Sequence, residues 1–327
     1  MEPLASSLET HLETHLETYW VDAFADQPFQ GNPAVVVPQA DGLSDFQMQQ
    51  IAREVNCSET AFVLTASTPE ADFRLRWFTP TQEVDLCGHA TIAALHALAQ
   101  AGRFNLSRGV THILYLETRS GILPVTVDWS EPRPWIWLTL PDCRFDAIAP
   151  DLAQQLAQVL GLPTPSAVVL DSLNQDVFLP IPHLHQLHAL SPNMGELAQL
   201  GKQQKWRGVC VYSTETVDSL SQAHSRFFAP QSGISEDPVT GSMSGPLALL
   251  LRQQLEVDSN SINIGLPENG LESSPESSPE ITAKRQIWRF EQGDCLGRAG
   301  RLLVDLKGHS PKLGGQAITV MRGVLYL

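Results

Sequence analysis

The segment FTPTQEVDLCGHATIAALHALAQ, residues 78–100, decides the fold of this chain. An aromatic-x-Pro strand end leads into an acidic loop and a glycine that opens a helix, and the same order returns in FAPQSGISEDPVTGSMSGPLALLLRQQ, residues 228–254. The two helices, expected at Gly88–Ala101 and Gly241–Gln254, are apolar around nearly their whole circumference, so protein must surround each of them. The pattern predicts an internal duplication and an α+β fold. Two pseudo-symmetric lobes are expected, each a curled mixed or antiparallel sheet around a buried central helix.

The domain organisation follows from this duplication. We place the first lobe at residues 19–130 and the second at 131–316, and expect the C-terminal strand 317–327 to return to the first lobe. Residues 1–18, with the iteration LET-HLET-HLET, are interpreted as a solvated extension; a short helix is the alternative. A Ser/Pro/Asn-rich stretch near 258–283 cannot build a packed core, so we expect a dispensable surface loop there, centred on ESSPESSPE.

Composition excludes several classes of protein. Lys and Arg total 21 against 36 Asp and Glu, and the resulting net charge of −15 argues against nucleic-acid binding and against a basic membrane-binding surface. No apolar run approaches the roughly 18 residues of a membrane span, and the acidic N-terminus does not resemble a signal peptide. The five cysteines form no CxxC pair, so neither a disulfide framework nor a zinc ribbon is expected. A cytoplasmic location is predicted.

The starts of the two central helices are candidate binding sites. Helix N-termini present unpaired N–H groups and partial positive charge, and Gly88 and Gly241 would allow a ligand to approach the backbone. Two such termini facing one cleft would suit a small carboxylate-bearing substrate or an enolate that forms from it. Ordinary capping by Thr240 or Ser242 is the alternative.

Titratable residues surround these helix starts. Glu59 lies where a helix meets an apolar strand, and partial burial there would raise its pKa toward values suited to proton transfer. Asp237 and His89 are further acid–base candidates, and Cys87 at a helix N-terminus would have a depressed pKa. The structural alternatives are a surface turn for Glu59, a helix cap for Asp237, a satisfied core histidine for His89 and an inert buried thiol for Cys87.

Four segments, taken together, carry a resemblance: VDAFADQPFQGNPAVVV (21–37), NCSETAFV (56–63), FTPTQEVDLCGH (78–89) and EDPVTGSMSG (236–245). In sequence and order they resemble the phenazine-biosynthesis PhzF-like family over about residues 19–327. The resemblance implies the diaminopimelate-epimerase fold, with an active site in the cleft between two lobes. It also implies proton-transfer isomerisation of a small metabolite with no metal or organic cofactor, and a homodimer.

The family's functional residues can be placed on this chain through its motifs. The resemblance assigns catalytic roles to Glu59, His89, Asp237 and Ser242. Substrate binding at Gly88, Thr240 and Gly241 is expected from their place at the helix starts. Epimerases of this fold use one cysteine at the start of each central helix, whereas this chain has Cys87 at the first position and Thr240 at the second. A two-thiol racemase is therefore not expected. Arg298 is followed by Ala299 where the family often has proline, which leaves the role of Arg298 open.

Other functions were weighed against this one. A one-thiol epimerase using Cys87, or a non-catalytic ligand-binding protein on the same scaffold, are the alternatives to an acid–base isomerase. His183, His185 and His188 have metal-like spacing without any accompanying motif, so a solvated loop is the expected structure. No phosphate-binding glycine motif is present, and we therefore expect no nucleotide cofactor.

Overall fold

A computed structural model of the protein describes residues 15–163, 167–262 and 286–327. The strands are β1 His15–Ala23, β2 Asn32–Val37, β3 Glu59–Leu64, β4 Phe73–Phe78, β5 Glu83–Val84, β6 Thr111–Thr118, β7 Gly121–Asp128, β8 Trp135–Thr139, β9 Phe145–Ala147, β10 Val169–Asp171, β11 Asp176–Pro180, β12 Gly208–Ser213, β13 Ala223–Ala229, β14 Ile234–Asp237, β15 Ile287–Gln292, β16 Gly300–Asp305, β17 Lys312–Gly315 and β18 Ala317–Tyr326. The helices are α1 Asp45–Val55, α2 Gly88–Gln100, α3 Pro150–Leu160, α4 Leu184–Ala189, α5 Met194–Gln204 and α6 Gly241–Ile262. This mixture confirms the predicted α+β class.

The strand pairing repeats once along the chain. β1 runs antiparallel to β2, β2 parallel to β3, β3 antiparallel to β4, β4 parallel to β6, and β6, β7 and β8 are antiparallel. The same series of directions runs from β10 through β11, β12, β13, β15 and β16 to β17. β8 and β17 pair antiparallel, so hydrogen bonds join the two series into one mixed sheet.

Helices α2 and α6 occupy corresponding places in the two series and supply much of the core. Every residue of α2 from His89 to Ala99 is buried, against β1, β2, β3, β8 and β18. α6 packs on β16 and β17 and is buried or half-buried as far as Arg252, after which Gln253 and Gln254 are exposed. One apolar cluster contains side chains of both helices, including Leu95 and Leu247. The remaining helices cover the outside of the sheet, α1 over one smaller cluster and α3, α4 and α5 over another.

The structure differs from the sequence-based boundaries in three places. His15–Thr18, expected in the N-terminal extension, belong to β1 and pair with β18, and Leu16 is buried there. β18 offers a full-length antiparallel partner, which no local pattern in the LETHLET repeat reveals. α6 continues through 258–262, the start of the expected surface loop; the rest of that loop, with ESSPESSPE, lies outside the described residues.

The third difference concerns the boundary expected between the two lobes, at residues 130–131. β8, just beyond it, pairs with β7 before it and with β17 far after it, so this strand closes the first series of pairings. The second series begins at β10 rather than at Trp135. Among the described residues, none of the helices has both the length and the apolar character required to cross a bilayer.

Candidate active site

One cavity of about 500 Å³ brings together all eight residues singled out at the helix starts and around them. The first half of the chain contributes Glu59, Cys87, Gly88 and His89, and the second half contributes Asp237, Thr240, Gly241 and Ser242. The starts of α2 and α6 therefore open into the same cavity, as the sequence predicts. The lining also contains Arg207 and Asn174, which the sequence analysis did not single out.

Glu59 and His89 form the acid–base pair of this cavity. Helix α1, capped at Ser44 and ended by Asn56 in a left-handed conformation, delivers the chain to Glu59 at the first position of β3. His89 occupies the first turn of α2, and its Nε2 lies 3.1 Å from Oε2 of Glu59. The Ser58 hydroxyl is 3.2 Å from the same nitrogen. Both members of the pair are almost fully buried.

The protonation of this pair corrects the expectation for Glu59. Burial acts to raise the pKa of Glu59, but the adjacent His89 charge, together with hydrogen bonds from His89, Ser58 and Cys87, outweighs it and lowers the pKa below the usual 4.5. Burial would lower the pKa of His89, but its contacts with Cys87 and with the carboxylate of Glu59 raise it well above 6.5. The stable state at neutral pH is therefore a carboxylate facing an imidazolium.

The pKa of Cys87 is shifted in the direction opposite to that expected for a thiol at a helix N-terminus, and the residue fits the alternative of a buried thiol. It stands at the N-terminal boundary of α2 with its Sγ 3.5 Å from Nδ1 of His89. Complete burial and the negative charge of Glu59 raise the pKa of the thiol, whereas a position at a helix N-terminus had led us to expect a depressed one. The cysteine at this position is a neutral thiol at physiological pH.

Asn32 is the connection between the two halves that the sequence analysis missed. Its Nδ2 donates to Oδ1 of Asp237 at 2.8 Å and to the carbonyl of Val239 at 2.9 Å. Both N–H groups are thereby used, so the 3.3 Å approach of Nδ2 to Nδ1 of His89 is a packing contact. The sequence feature that could have identified Asn32 is its position in the first motif, directly after Gly31, a glycine that the fold requires.

That glycine, Gly31, has a φ of +62° and its Cα lies against the backbone of Ala23, where a side chain would collide with the carbonyl oxygen. Arg298 holds the same turn from the other half of the chain. It donates to the carbonyls of Gln30 and Gly31 and to Oδ1 of Asp22. The role left open for Arg298 is therefore to fix the turn that presents Asn32.

Asp237 is enclosed by polar groups of the second half. The Thr240 hydroxyl donates to its Oδ2 at 2.5 Å, and Gln292 donates to its backbone carbonyl at 2.8 Å while accepting from the Thr240 backbone at 2.9 Å. Burial raises the pKa of Asp237 despite the opposing effects of His89, Thr240 and Asn32. Thr240, expected to bind substrate or to cap α6, lines the cavity and donates its hydroxyl to Asp237.

The two glycines at the helix starts pack closely against neighbouring side chains. A Cβ on Gly241 would lie 2.4 Å from Cδ2 of Leu313 and 2.9 Å from Cζ of Phe24, and a Cβ on Gly88 would lie 3.2 Å from the same Leu313 carbon. One leucine of β17 therefore separates the two helix starts. A side chain at either position would meet this leucine, while both glycines also line the cavity.

One group of described residues has the composition of a metal site. The ligand atoms of Glu59, Cys87 and His89 all lie within 4.8 Å of one another. Metal binding needs a neutral imidazole, and the raised pKa of His89 together with its contact to Glu59 opposes that. His183 and His185 lie elsewhere, at the exposed start of α4, where His183 contacts Glu215 at 3.0 Å.

A family model described as phenazine biosynthesis-like protein matches residues 21–323. The chain belongs to this family. An uncharacterized isomerase of Clostridium acetobutylicum is 34% identical to it over 322 residues, which is 94% of this chain and 97% of that protein. Another, from Pseudomonas aeruginosa, is also 34% identical, over 315 residues, with 94% and 98% covered. The protein is a PhzF-like enzyme of the isomerase class.

Solved structures agree with this assignment. The PhzF-family phenazine biosynthesis protein of Bacillus anthracis, 27% identical, covers 96% of this chain and 100% of its own with a TM-score of 0.73. A hydroxyproline epimerase from Agrobacterium vitis, at 13% identity and a TM-score of 0.53, covers 96% of this chain and 93% of its own. The second likeness concerns the fold alone.

Proposed function

We propose that this enzyme moves a proton between two positions of a small carboxylate-bearing metabolite by general acid–base catalysis, without a metal or organic cofactor. One observation carries the proposal. A buried carboxylate–imidazolium pair, Glu59 and His89, lines a cavity of about 500 Å³ at the starts of two central helices. Such a pair offers a base and an acid within one contact distance, which is what a reversible proton shift requires.

In this mechanism Glu59 is the base. Its carboxylate accepts a proton from one substrate carbon, which leaves an enolate. The carboxyl group exchanges its proton with solvent and then delivers a proton to another carbon, so no proton is gained or lost overall. The imidazolium of His89 stabilises the negative charge while it exists. Asp237 and Ser242 hold the polar groups of the substrate, and the α2 and α6 starts add partial positive charge.

The arrangement around the cavity is proposed to be two lobes of equivalent topology. The repeated strand pairing supports this, with α2 and α6 as the central helix of each lobe. We further propose that the enzyme acts as a cytoplasmic homodimer. Sedimentation velocity at several protein concentrations tests the dimer, and a single species with the mass of one 327-residue chain contradicts it.

The test of the function is hydrogen exchange at carbon. A panel of small unsaturated carboxylic acids is incubated with the enzyme in deuterated water and followed by NMR and mass spectrometry. We expect deuterium at one carbon of a turned-over acid, and a loss of about 10²–10⁴-fold in rate in Glu59→Gln, which retains the shape but not the base. Glu215→Gln is the matched control, because Glu215 also contacts a histidine, His183 at 3.0 Å, but outside the cavity. A fully active Glu59→Gln variant contradicts the proposal.

The one-thiol epimerase predicts a different variant to be inactive. Sγ of Cys87 is 3.5 Å from Nδ1 of His89, which is the geometry a thiol base would use. Its raised pKa leaves little thiolate at neutral pH, so we expect Cys87→Ala to lose much less activity than Glu59→Gln. An inactive Cys87→Ala beside an active Glu59→Gln would establish the thiol mechanism instead.

A further inference from the structure

The strand register shows which residues correspond in the two repeats. Phe78 and Phe228, each two residues before a proline, pair with Thr60 and Val209 respectively. Thr60 of β3 therefore corresponds to Val209 of β12. The residues just before them, Glu59 and Gly208, correspond in turn. The second repeat has no carboxylate at the position where the first repeat has its base.

The preceding residues correspond as well, and so do their contacts. Arg207 takes the place of Ser58, and Ser242 takes that of His89, since each follows the glycine that opens its central helix. The Ser58 hydroxyl lies 3.2 Å from His89, and Nη1 of Arg207 donates to the Ser242 hydroxyl at 2.8 Å. In both repeats, the residue before the strand contacts the residue after the helix-opening glycine. In the first repeat the two residues are Ser58 and His89, and in the second they are Arg207 and Ser242.

Arg207 is held rigidly by a buried acid. Its Nε donates to Oδ1 of Asp176 at 2.9 Å and its Nη2 donates to Oδ2 of the same carboxylate. Asp176 is fully buried at the start of β11, and its strand partner is Gly208, just as Ala34 partners Glu59 in the first repeat. The buried carboxylate of Asp176 thus orients the guanidinium of Arg207, while 40% of the arginine side chain remains exposed.

The guanidinium still has donors to offer. Three of its five N–H groups serve Asp176 and Ser242, and the other two have no acceptor among the described residues. Arg207 lines the cavity that contains Glu59 and His89, and no other arginine or lysine does so within the described part of the chain. A planar cation with one N–H group left on each terminal nitrogen is suited to a carboxylate.

We infer that Arg207 binds the anionic group of the substrate, so that the second repeat recognises the acid while the first repeat moves its proton. The inference rests on the proposed function for the identity of the reaction. Its own content is the binding site: a carboxylate held by Arg207 with Ser242, and a positioning role for Asp176. The ring of Phe227, which fills the space beside Gly208, also lines the cavity.

The inference is tested by binding, independently of turnover. Dissociation constants for benzoate, crotonate and fumarate are measured by calorimetry or NMR titration, with benzamide as the uncharged counterpart of benzoate. We expect at least one acid to bind the unaltered protein, benzamide to bind more weakly than benzoate, and Arg207→Gln to weaken acid binding by about 10- to 100-fold. Arg207→Lys should fall between the two, because it retains charge without the planar pair of donors.

Two further proteins make the result decisive. Arg74→Gln is the matched control, an arginine of similar exposure, 37%, near Glu117 and outside the cavity, and its acid binding should be unchanged. Since Arg207→Gln leaves Asp176 buried without its partner, the double variant Asp176→Asn with Arg207→Gln supplies a folded protein if the single variant unfolds. It should also bind acids weakly.

The outcomes separate this inference from the proposed function. If no acid binds the unaltered protein, or if binding survives loss of the arginine in a folded variant, the inference is wrong. If acid binding depends on Arg207 but no acid exchanges a carbon-bound proton, the binding site stands and the proposed reaction fails. Glu59→Gln should retain acid binding in either case.

Discussion

At the scale of single residues, the cavity depends on charges that hold one another in place. Glu59 is anionic and His89 cationic because each lies within 3.1 Å of the other, although burial alone would neutralise both. Asn32 connects the two halves of the chain, because both N–H groups of its side chain donate to the second half, at Asp237 and Val239. In the proposed mechanism, the acid and the base are consequently preorganised before any substrate enters.

The pH dependence of turnover follows from the direction of these shifts. Activity should fall as pH drops through the lowered pKa of Glu59, where the base becomes protonated, and again as pH rises through the raised pKa of His89. The usual pKa values of a glutamate and a histidine are 4.5 and 6.5. The pH range of full activity should therefore begin below 4.5 and end above 6.5. A profile of kcat/KM against pH in the exchange assay measures it.

Ser58→Ala provides the check on this assignment. The Ser58 hydroxyl helps to lower the pKa of Glu59, so its removal should move the acidic limb of the profile to higher pH. A profile with its acidic limb unmoved in this variant, or a maximum confined within 4.5 to 6.5 in the unaltered enzyme, would contradict the charge state described here.

At the scale of elements, the starts of α2 and α6 meet across one side chain. Leu313 of β17 lies against both opening glycines, and the two helices reach the cavity from either side of it. The hydroxyls of Thr91 and Ser244, three residues into each helix, donate to the carbonyls of Cys87 and Thr240, at 2.6 and 3.1 Å. Each helix start is therefore built by the same local contacts.

This packing predicts unequal effects of the same substitution at the two glycines. Gly241→Ala places a methyl 2.4 Å from Leu313 and should destabilise the protein by about 1–3 kcal/mol, as overpacking commonly does. Gly88→Ala, with its nearest atom at 3.2 Å, should cost less. Urea denaturation gives both free energies of unfolding.

The cause can be verified by making room for the new methyl. Leu313→Ala alone should cost about 2–5 kcal/mol, because it leaves a cavity between the helices. In that background Gly241→Ala should cost less than it does in the unaltered protein, since the added methyl enters the space vacated by the leucine. Strictly additive costs would mean that the glycine is required for some other reason.

At the scale of the whole molecule, the two repeats share a core. One apolar cluster contains Leu95 of α2 and Leu247 of α6, both fully buried, and the β8–β17 pairing continues the sheet from one repeat to the other. β1 and β18 add a long antiparallel pair between the beginning and the end of the described chain. The repeats are therefore not expected to unfold separately.

Calorimetry and circular dichroism test this cooperativity. Leu95→Ala and Leu247→Ala lie in different repeats, and each should shift one common transition by about 2–5 kcal/mol. Leu220→Ala, an exposed leucine at 56% accessibility, is the control and should change the stability by less than about 0.5 kcal/mol. Two separate transitions, of which each core variant moves only one, would show independent lobes.

The sequence by itself determined the duplication, the α+β class, the two central helices to within a residue at their starts, and the eight residues that the structure gathers at one cavity. These features follow from local periodicity, from glycine and proline positions and from short motifs, all of which are written in neighbouring residues.

Tertiary structure decided the rest, because it depends on groups that are far apart in the chain. Asn32 and Asp237, 205 positions apart, become hydrogen-bonded only when the halves are joined. The pKa of Glu59 is lowered rather than raised because the fold places a histidine of α2 beside it, and electrostatic effects depend on distance in space. Arg207 likewise lines the same cavity as Glu59 and His89 only in the folded chain, which no pattern along the sequence could reveal.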